Sequence, residues 1–241
     1  MHIENSVALV TGSNRGIGRH LVERLLSQGA RRVYATGRRV SELDGVVALD
    51  RERVVPLQLD VTRSEDASRV AAAAKDVNLL INNAGVLDFG GVLEASPEAF
   101  ARNFDVNFYG LLNVTRAFAP MLAQRPGSAV VNILTLVALA SMPGLGVYNA
   151  SKAAAWSLTQ SMRGDLGKQG VRVIGVFPAG VDTDMLKGVE TTKANPGDVA
   201  AAILAGIEAG AEDIFPEPVS TQVYAAWRGD HKAVERQFAS M

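Results

Sequence analysis

The stretch VALVTGSNRGIG, residues 7–18 of the 241-residue chain, decides the fold. Four apolar residues lead into a glycine-rich turn, and from Ile17 to Leu26 apolar residues recur at helical spacing before Gly29 provides a stop. A dinucleotide pyrophosphate requires this succession, because glycines let the backbone approach the phosphates and a helix N-terminus offers free N–H groups. The spacing is G-x-x-x-G-x-G, not the commoner G-x-G-x-x-G, so a purely structural turn remains the alternative.

Runs rich in Val, Leu and Ile recur along the chain at about strand length, at residues 7–10, 33–36, 54–59, 77–81, 129–134 and 171–177. Segments of helical period lie between them, and one begins where Ser96 precedes Pro97. Continuous apolar strands that alternate with amphipathic helices predict a parallel sheet covered on both faces. No linker interrupts the series, so we expect a single Rossmann-like, doubly wound α/β domain over residues 1–241.

The pattern is looser after about residue 185. We predict a loop or short helix over 185–197, which would border the substrate, and a helix over 198–210. Ile214 and Phe215 indicate a brief strand, and the chain from Val219 to its end is mainly helical in pattern.

Composition excludes several classes of function. The 24 basic and 25 acidic residues nearly cancel, which gives no reason to expect a nucleic acid or an anionic membrane as partner. The absence of cysteine excludes disulfides and thiolate zinc sites, and we predict no metal. No basic segment followed by a long apolar run opens the chain, so we expect a cytoplasmic protein.

Residues 129–147 form an uncharged run of about the length of a membrane span. Pro143, Gly144 and Gly146 would break a helix there, and Asn132 and Thr135 would carry polar groups into hydrocarbon. We therefore predict a buried strand over 129–134, a loop from Thr135 to Gly146 and a helix from Tyr148 onward.

The end of the second strand indicates which dinucleotide binds. Folds that take NAD usually place a carboxylate there for the ribose hydroxyls, but residues 34–39 read YATGRR. Arg38, helped by Arg15 or Arg39, could instead hold a ribose phosphate, because guanidinium offers several fixed donors. This favours NADP(H), and the alternative is that these arginines belong to a solvated loop.

Five motifs, in this order, resemble those of the short-chain dehydrogenase/reductase family. They are the turn at 11–18, the pair Asp60-Val61, the NNAG element at 82–85, Asn107, and the Y-x-x-x-K pair Tyr148 and Lys152. The likeness covers roughly residues 5–185. It implies a seven-stranded sheet, nicotinamide-dependent interconversion of alcohol and carbonyl, and homodimers or homotetramers built on helices near 110–125 and 150–166.

Together with Arg38, the resemblance implies that the cofactor is bound by Gly12, Ser13, Asn14, Arg15, Gly16, Ile17, Gly18, Asp60, Val61, Asn83, Ala84, Gly85, Tyr148, Lys152, Val181 and Thr183. The chain departs from the family at two positions. Thr135 stands where a serine is usual, thirteen residues before Tyr148; its hydroxyl could still donate to a substrate oxygen, whereas Ser141 is out of register. Ala179 stands where a glycine usually follows the proline after the sixth strand.

Tyr148 and Lys152 lie four residues apart and so on one face of a helix. At about 5 Å and an effective dielectric near 20, the ammonium would favour the phenolate by about 3 kcal/mol. We therefore predict a pKa for Tyr148 roughly two units below its usual value near 10, which suits a proton donor and acceptor. Lys152 would also bind the ribose hydroxyls, and the resemblance implies that Asn107 holds a water in a proton relay. Taken alone, the pair could be an ordinary helix-surface contact.

Apolar residues near these motifs predict the substrate side of the site: Phe89, Leu136, Val137, Leu139, Met142, Leu145 and Met185. The alternative is that they pack only on one another. The sequence thus predicts an NADP(H)-dependent oxidoreductase that interconverts a carbonyl and an alcohol on a small to medium, largely apolar substrate. Two other functions stay open: a non-catalytic dinucleotide sensor and, less in keeping with the intact glycine turn, a cofactor-free lyase or dehalogenase.

Overall fold

The computed structural model describes residues 1–241 and contains one seven-stranded, wholly parallel sheet in the order β3-β2-β1-β4-β5-β6-β7. The strands are β1 (Val7–Val10), β2 (Arg32–Gly37), β3 (Val54–Gln58), β4 (Leu79–Asn82), β5 (Ala129–Ile133), β6 (Arg172–Val176) and β7 (Asp213–Ile214). The helices are α1 (Gly16–Ser27), α2 (Asp44–Val47), α3 (Ser64–Ala73), α4 (Pro97–Phe104), α5 (Leu111–Leu122), α6 (Gly146–Gly167), α7 (Pro196–Ala209), α8 (Pro218–Gly229) and α9 (His231–Ala239).

Side chains alternate between the two faces of the sheet, as strand geometry requires. In β1, Ala8 and Val10 join a 27-residue core with α1 and α7, whereas Val7 and Leu9 join a 24-residue core with α3, α5 and α6. Helices therefore cover both faces, and the predicted doubly wound α/β fold is confirmed.

The predicted strands agree with the observed ones to within two residues at each end. The predicted start of α4 is also seen, since the Ser96 side chain accepts a hydrogen bond of 3.2 Å from the Ala99 N–H and Pro97 is the first helical residue. In the C-terminal part, a short 3₁₀ turn covers Asp184–Leu186. The next helix starts at Pro196, two residues before the predicted start, because Asn195 caps it with a bond of 2.8 Å from the Gly197 N–H.

A buried polar chain ties the two central strands to the helices behind them. The Asn82 amide donates to Asn132 Oδ1 (2.9 Å) and to Thr115 Oγ1 (3.0 Å), and Asn132 donates to Thr159 Oγ1 (3.0 Å). Because a buried amide without a partner is costly, this chain fixes β4, β5, α5 and α6 in one alignment.

The uncharged run at 129–147 divides into β5, the 3₁₀ turn Leu136–Ala138 and the start of α6. Helix α6 begins at Gly146, so the loop predicted up to Gly146 ends one residue earlier. None of the helices combines the length and the apolar character that crossing a membrane would require.

We expect Gly18→Ala to lower the free energy of unfolding by roughly 1–3 kcal/mol, the usual cost of overpacking. A Cβ at position 18 would meet the Gly12 carbonyl oxygen and come within 2.5 Å of Asn83 Nδ2. Gly164→Ala on the exposed side of α6 is the matched control. Its Cβ would meet nothing within 4 Å, and the helix should gain roughly 0.5–1 kcal/mol. Urea denaturation measures the free energy of unfolding of both variants, and a change of the same sign in the two would contradict the packing argument.

Candidate active site

The loops after β1 and β4 meet at the carboxyl edge of the sheet, where the strand order reverses and such folds bind ligands. Thr11 Oγ1 accepts from the N–H groups of Asn83 and Ala84, both at 2.9 Å. In return the Asn83 side-chain amide donates to the carbonyl oxygens of Thr11 (2.9 Å) and Gly12 (3.0 Å). The two loops are therefore fixed to each other, and the crevice between them has a defined shape.

The glycine turn presents the N-terminus of α1 to this crevice. Gly12 and Gly16 have φ values of 64° and 53°, in the left-handed region that favours glycine. A Cβ on Gly12 would lie 3.0 Å from the Ala84 Cα. No side chain caps α1, so the N–H groups of its first turn stay available to an anion. The turn thus fits a dinucleotide pyrophosphate.

The prediction that Ser13 contacts the cofactor is wrong. It is 0% exposed, and its hydroxyl donates to the Val10 carbonyl (2.9 Å) and accepts from the Thr36 N–H (2.7 Å). It therefore joins β1 to β2 under the turn. Gly18 is also buried and serves the close packing of α1 on Gly12 and Asn83. Asn14, Arg15, Gly16 and Ile17 keep exposed surface at the turn.

Of the three arginines considered for a ribose phosphate, only Arg38 has an unengaged side chain. Arg15 pairs with Asp184 at 3.2 Å, and Arg39 pairs with Glu42. Arg38 is exposed just after β2, and no hydrogen bond or ion pair of its guanidinium is found. Its charge is thus available at the end of β2.

The other predicted cofactor contacts lie on loops around the same edge. Asp60 Oδ1 accepts from the Thr62 N–H (3.0 Å) and hydroxyl (2.7 Å), which orients its carboxylate. Val61 packs against Gly110, where a Cβ would lie 2.7 Å from the Val61 methyl. Val181 is buried and pairs with Ala194, and Thr183 starts the 3₁₀ turn near Gly16.

The four predicted catalytic residues lie at the carboxyl end of β5 and on the helices beside it. Lys152 Nζ donates to the Ile133 carbonyl at 2.8 Å and lies 5.9 Å from the centre of the Tyr148 ring. The Thr135 hydroxyl donates to the Pro178 carbonyl (3.3 Å), accepts from the Val137 N–H (3.4 Å) and lies beside the Tyr148 phenol. The fold therefore brings Thr135, Tyr148 and Lys152 together.

The prediction of an acidic phenol is wrong for this structure. Burial raises the pKa of Tyr148 to about 12, and the hydrogen bond with Thr135 offsets only part of that rise. Burial also lowers the pKa of Lys152 to about 8. The Coulomb argument omitted the cost of desolvating the phenolate, which exceeds the attraction of an ammonium already bonded to Ile133.

Asn107 lies in a π-helical turn, Asp105–Gly110, between α4 and α5. Its amide donates to the Val86 carbonyl and to Ser151 Oγ, both at 2.9 Å, and its Oδ1 accepts from the Val86 N–H at 3.0 Å. The side chain is thereby occupied in joining the loop after β4 to α6. A Cβ on Gly85 would lie 3.2 Å from Asn107 Oδ1 and 3.6 Å from Lys152 Nζ, so Gly85 lies close to both groups.

The apolar residues predicted for the substrate side lie in different surroundings. Val137 and Met142 pack in the cluster of Tyr148. Leu136 does not, because it points into the core of the sheet with Leu134 and Phe177.

Phe89 and Met185 lie on exposed loops, Phe89 with 60% of its surface open, and Leu145 is half-buried beside Gly90. Phe89 lines a cavity of about 220 Å³ with Asp88, Glu94 and Val147 that contains none of the four predicted catalytic residues.

The sequence analysis missed the residues that cover Tyr148. Val234 and Phe238 of α9 belong to one buried apolar cluster with Tyr148, Val137 and Ala140, and Leu87 and Trp227 border the same cluster. As a result only 8% of Tyr148 is exposed. The i, i+4 spacing of Val234 and Phe238 marked an amphipathic helix, but nothing in the sequence indicated where its apolar face would pack.

Ala179 introduces no backbone strain in place of the family's glycine. Asn5 is the only residue other than glycine with a positive φ, so Ala179 has an ordinary backbone conformation. The preceding carbonyl, of Pro178, accepts from the Leu136 N–H (3.1 Å) as well as from Thr135.

Comparisons with known proteins agree with this geometry. A family model described as short chain dehydrogenase matches residues 6–194. A short chain dehydrogenase from Burkholderia cenocepacia, solved in complex with NADP, is 39% identical, with a TM-score of 0.93 and 99% of each chain covered. A short chain dehydrogenase/reductase from Burkholderia phymatum, solved with NAD, is 28% identical, with a TM-score of 0.88 and 98% and 96% of the two chains covered. The NADPH carbonyl reductase 2 of Sus scrofa is 36% identical over 193 residues, 78% of this chain and 77% of its own.

We expect Phe238→Ala to open Tyr148 to reagents, because Phe238 is one of two α9 side chains that cover it. Nitration by tetranitromethane, mapped by mass spectrometry, should modify the exposed Tyr109 in every variant and Tyr148 only in Phe238→Ala. Gln237→Ala, on the exposed side of α9, is the control and should leave Tyr148 protected. Equal nitration of Tyr148 in the wild type and in Phe238→Ala would contradict the described cover.

Proposed function

The chain belongs to the short-chain dehydrogenase/reductase family, and on this premise we propose that it interconverts a carbonyl and an alcohol with NADP(H) on a small to medium, largely apolar substrate. The observation that carries the proposal is the meeting of Thr135, Tyr148 and Lys152 at the carboxyl end of β5, beside an edge that fits a dinucleotide. Dehydrogenases and reductases of this family act between CH–OH and C=O groups, and the relatives named as reductases agree with that chemistry.

The cofactor is held by this chain's residues in the following way. The first turn of α1 binds the pyrophosphate, Arg38 a ribose phosphate and Lys152 the ribose hydroxyls. The bound nicotinamide supplies or accepts a hydride at the substrate carbon. The remaining contacts in the proposal come from Asn14, Arg15, Gly16, Ile17, Asp60, Val61, Asn83, Ala84, Gly85, Val181 and Thr183.

Tyr148 moves the proton. A phenol with a pKa of about 12 is protonated at neutral pH, so Tyr148 is ready to donate to a carbonyl oxygen during reduction. The Thr135 hydroxyl orients that oxygen by turning from the Pro178 carbonyl to the substrate. Lys152, with a pKa of about 8, is mostly protonated at neutral pH and stabilises the phenolate that remains.

Two observations support the preference for NADP(H). The Arg38 side chain has no internal partner at the end of β2, and residues 34–39 contain no carboxylate for the ribose hydroxyls. The Burkholderia cenocepacia relative binds NADP and the Sus scrofa relative is named for NADPH, whereas the Burkholderia phymatum relative binds NAD.

The surroundings of Tyr148 support an apolar substrate. Val137, Ala140, Val234 and Phe238 are buried against it, and Met142 borders them. A polar substrate group placed there would lose its hydration without a partner, whereas an apolar group would gain from leaving water.

A homodimer or homotetramer is part of the proposal. Small uncharged residues on α6, Ala150, Ala153 and Ser157, form an exposed row that would allow a second copy to approach closely. Light scattering on the purified protein tests this assembly.

The second candidate, a dinucleotide sensor without catalysis, draws support from the burial of Tyr148 beneath α9. A panel of aldehydes, ketones and quinones with NADPH, followed by nicotinamide absorbance, separates the two functions. Binding of NADPH without turnover of any substrate would favour the sensor.

On any substrate turned over, Tyr148→Phe should lower kcat by roughly 10²–10⁴-fold, the usual share of a general acid. Its affinity for NADPH should stay nearly unchanged, because the ring remains. Tyr109→Phe, which removes a hydroxyl from an exposed tyrosine, is the matched control and should retain the wild-type rate. A Tyr148→Phe enzyme with wild-type kcat would exclude Tyr148 as the acid.

Arg38→Ala should raise the Kd for NADPH by roughly 10-fold to 100-fold, as expected for loss of hydrogen bonds to a charged group. The Kd for NADH should barely change, because NADH lacks the ribose phosphate. Arg51→Ala, at another exposed arginine without a partner, is the control. Fluorescence titration measures the Kd values for both coenzymes, and an equal loss of affinity for NADPH and NADH would remove the basis for the preference for NADP(H).

A further inference from the structure

Glu217 is a buried carboxylate outside the motifs used so far. It lies between Pro216 and Pro218 at the start of α8, and only 8% of it is exposed. None of the chain's ion pairs involves it, although it forms a capping box with Ser220 at the start of α8. Retaining a carboxylate without a cation in a protein interior is costly, so its contact outside the capping box requires an explanation.

The contact of Glu217 Oε1 continues the ladder of backbone hydrogen bonds between β6 and β7. The Gly175 N–H donates to the Glu212 carbonyl (2.9 Å), and the Phe177 N–H donates to the Ile214 carbonyl (2.8 Å). Two residues later, the Ala179 N–H donates to Glu217 Oε1 at 2.8 Å. A side-chain carboxylate thus takes the place that a main-chain carbonyl would occupy in a longer parallel strand pair.

The N–H of Ala179 belongs to the same peptide group as the carbonyl of Pro178. That carbonyl accepts from the Leu136 N–H (3.1 Å) and from Thr135 Oγ1 (3.3 Å). One peptide group is therefore held by Glu217 at one end and by the residue beside Tyr148 at the other. The bond to Glu217 therefore fixes the direction of the Pro178 carbonyl, and with it the position of the Thr135 side-chain oxygen beside Tyr148.

Stacked aromatic rings fix Glu217 in this position. The Phe177 ring stacks on Phe215 with centres 5.1 Å apart, and Phe215 stacks on Tyr224 of α8 at 3.9 Å. The segments that carry Ala179 and Glu217 therefore cannot separate without breaking this stack.

We propose that Glu217 is a positioning residue for the active site: it orients the Pro178–Ala179 peptide, whose carbonyl holds the Thr135 hydroxyl beside Tyr148. The part played by Thr135 in turnover rests on the proposed function, but the orientation of its hydroxyl does not.

The charge of Glu217 is not balanced by a cation. Burial raises the pKa of its carboxyl, and the hydrogen bonds from Ala179 and Ser220 partly offset the rise, with no contribution from a neighbouring charge. An uncharged acceptor of the same shape should therefore perform the same task, and Glu217→Gln should keep the peptide in place.

The first test is an NMR measurement on the protein without substrate. With ¹³C-labelled threonine methyl groups, and Thr135 assigned by its absence in Thr135→Ser, the Thr135 resonance should shift in Glu217→Ala and return close to the wild-type position in Glu217→Gln. Glu212→Ala, at an exposed glutamate near the same strand, is the control and should leave the resonance unmoved. An unmoved Thr135 resonance in Glu217→Ala overturns the proposal.

The second test uses kcat, once a substrate from the panel is turned over. Glu217→Ala should lower kcat by roughly 10-fold with little change in the KM for NADPH, and Glu217→Gln should restore most of the rate. In a Thr135→Val background, which lacks the hydroxyl, Glu217→Ala should have almost no further effect. Equal losses in both backgrounds overturn the proposal. Absence of turnover by the wild type counts against the proposed function instead and leaves the NMR result to decide about Glu217.

Discussion

The parallel alignment of β1, β4, β5 and β6 is the constraint on which the rest of the structure depends. Parallel strands end at one edge of a sheet, so the loops after these four strands meet there whatever their distance in sequence. Thr11 joins the first two loops, the Asn82–Asn132 bond fixes the central strands, and Pro178 joins the last two through Leu136 and Thr135. A shift in the register of any strand would separate these groups.

The geometry of this edge requires several polar side chains to be buried. Tyr148, Lys152 and Glu217 are all buried, and in each case burial shifts the pKa in the direction that favours the neutral form of the side chain. Hydrogen bonds help to fix two of them, Lys152 to the Ile133 carbonyl and Glu217 from the Ala179 N–H, and Tyr148 lies beside the Thr135 hydroxyl. Low local polarity strengthens these contacts and makes their loss costly, which favours a single arrangement.

The C-terminal helices link this polar edge to an apolar cover. Glu217 caps helix α8 and bonds to the loop after β6, and α9 places Val234 and Phe238 in the apolar cluster of Tyr148. The same segment, residues 217–241, therefore contacts the cluster of the predicted proton donor and also the peptide that holds Thr135. Differences in this segment between relatives would alter substrate access without altering the sheet.

The sequence by itself determined what depends on neighbours along the chain. The glycine turn between β1 and α1, the alternation of strands and helices, and the helical spacing of Tyr148 and Lys152 are all local, so their types and limits could be predicted closely. The tertiary structure alone decided the contacts between distant segments: Arg15 with Asp184, Ala179 with Glu217, and Phe238 over Tyr148. It also decided the direction of the Tyr148 pKa shift, because desolvation depends on everything that packs around a group, whereas sequence spacing shows only its nearest charge.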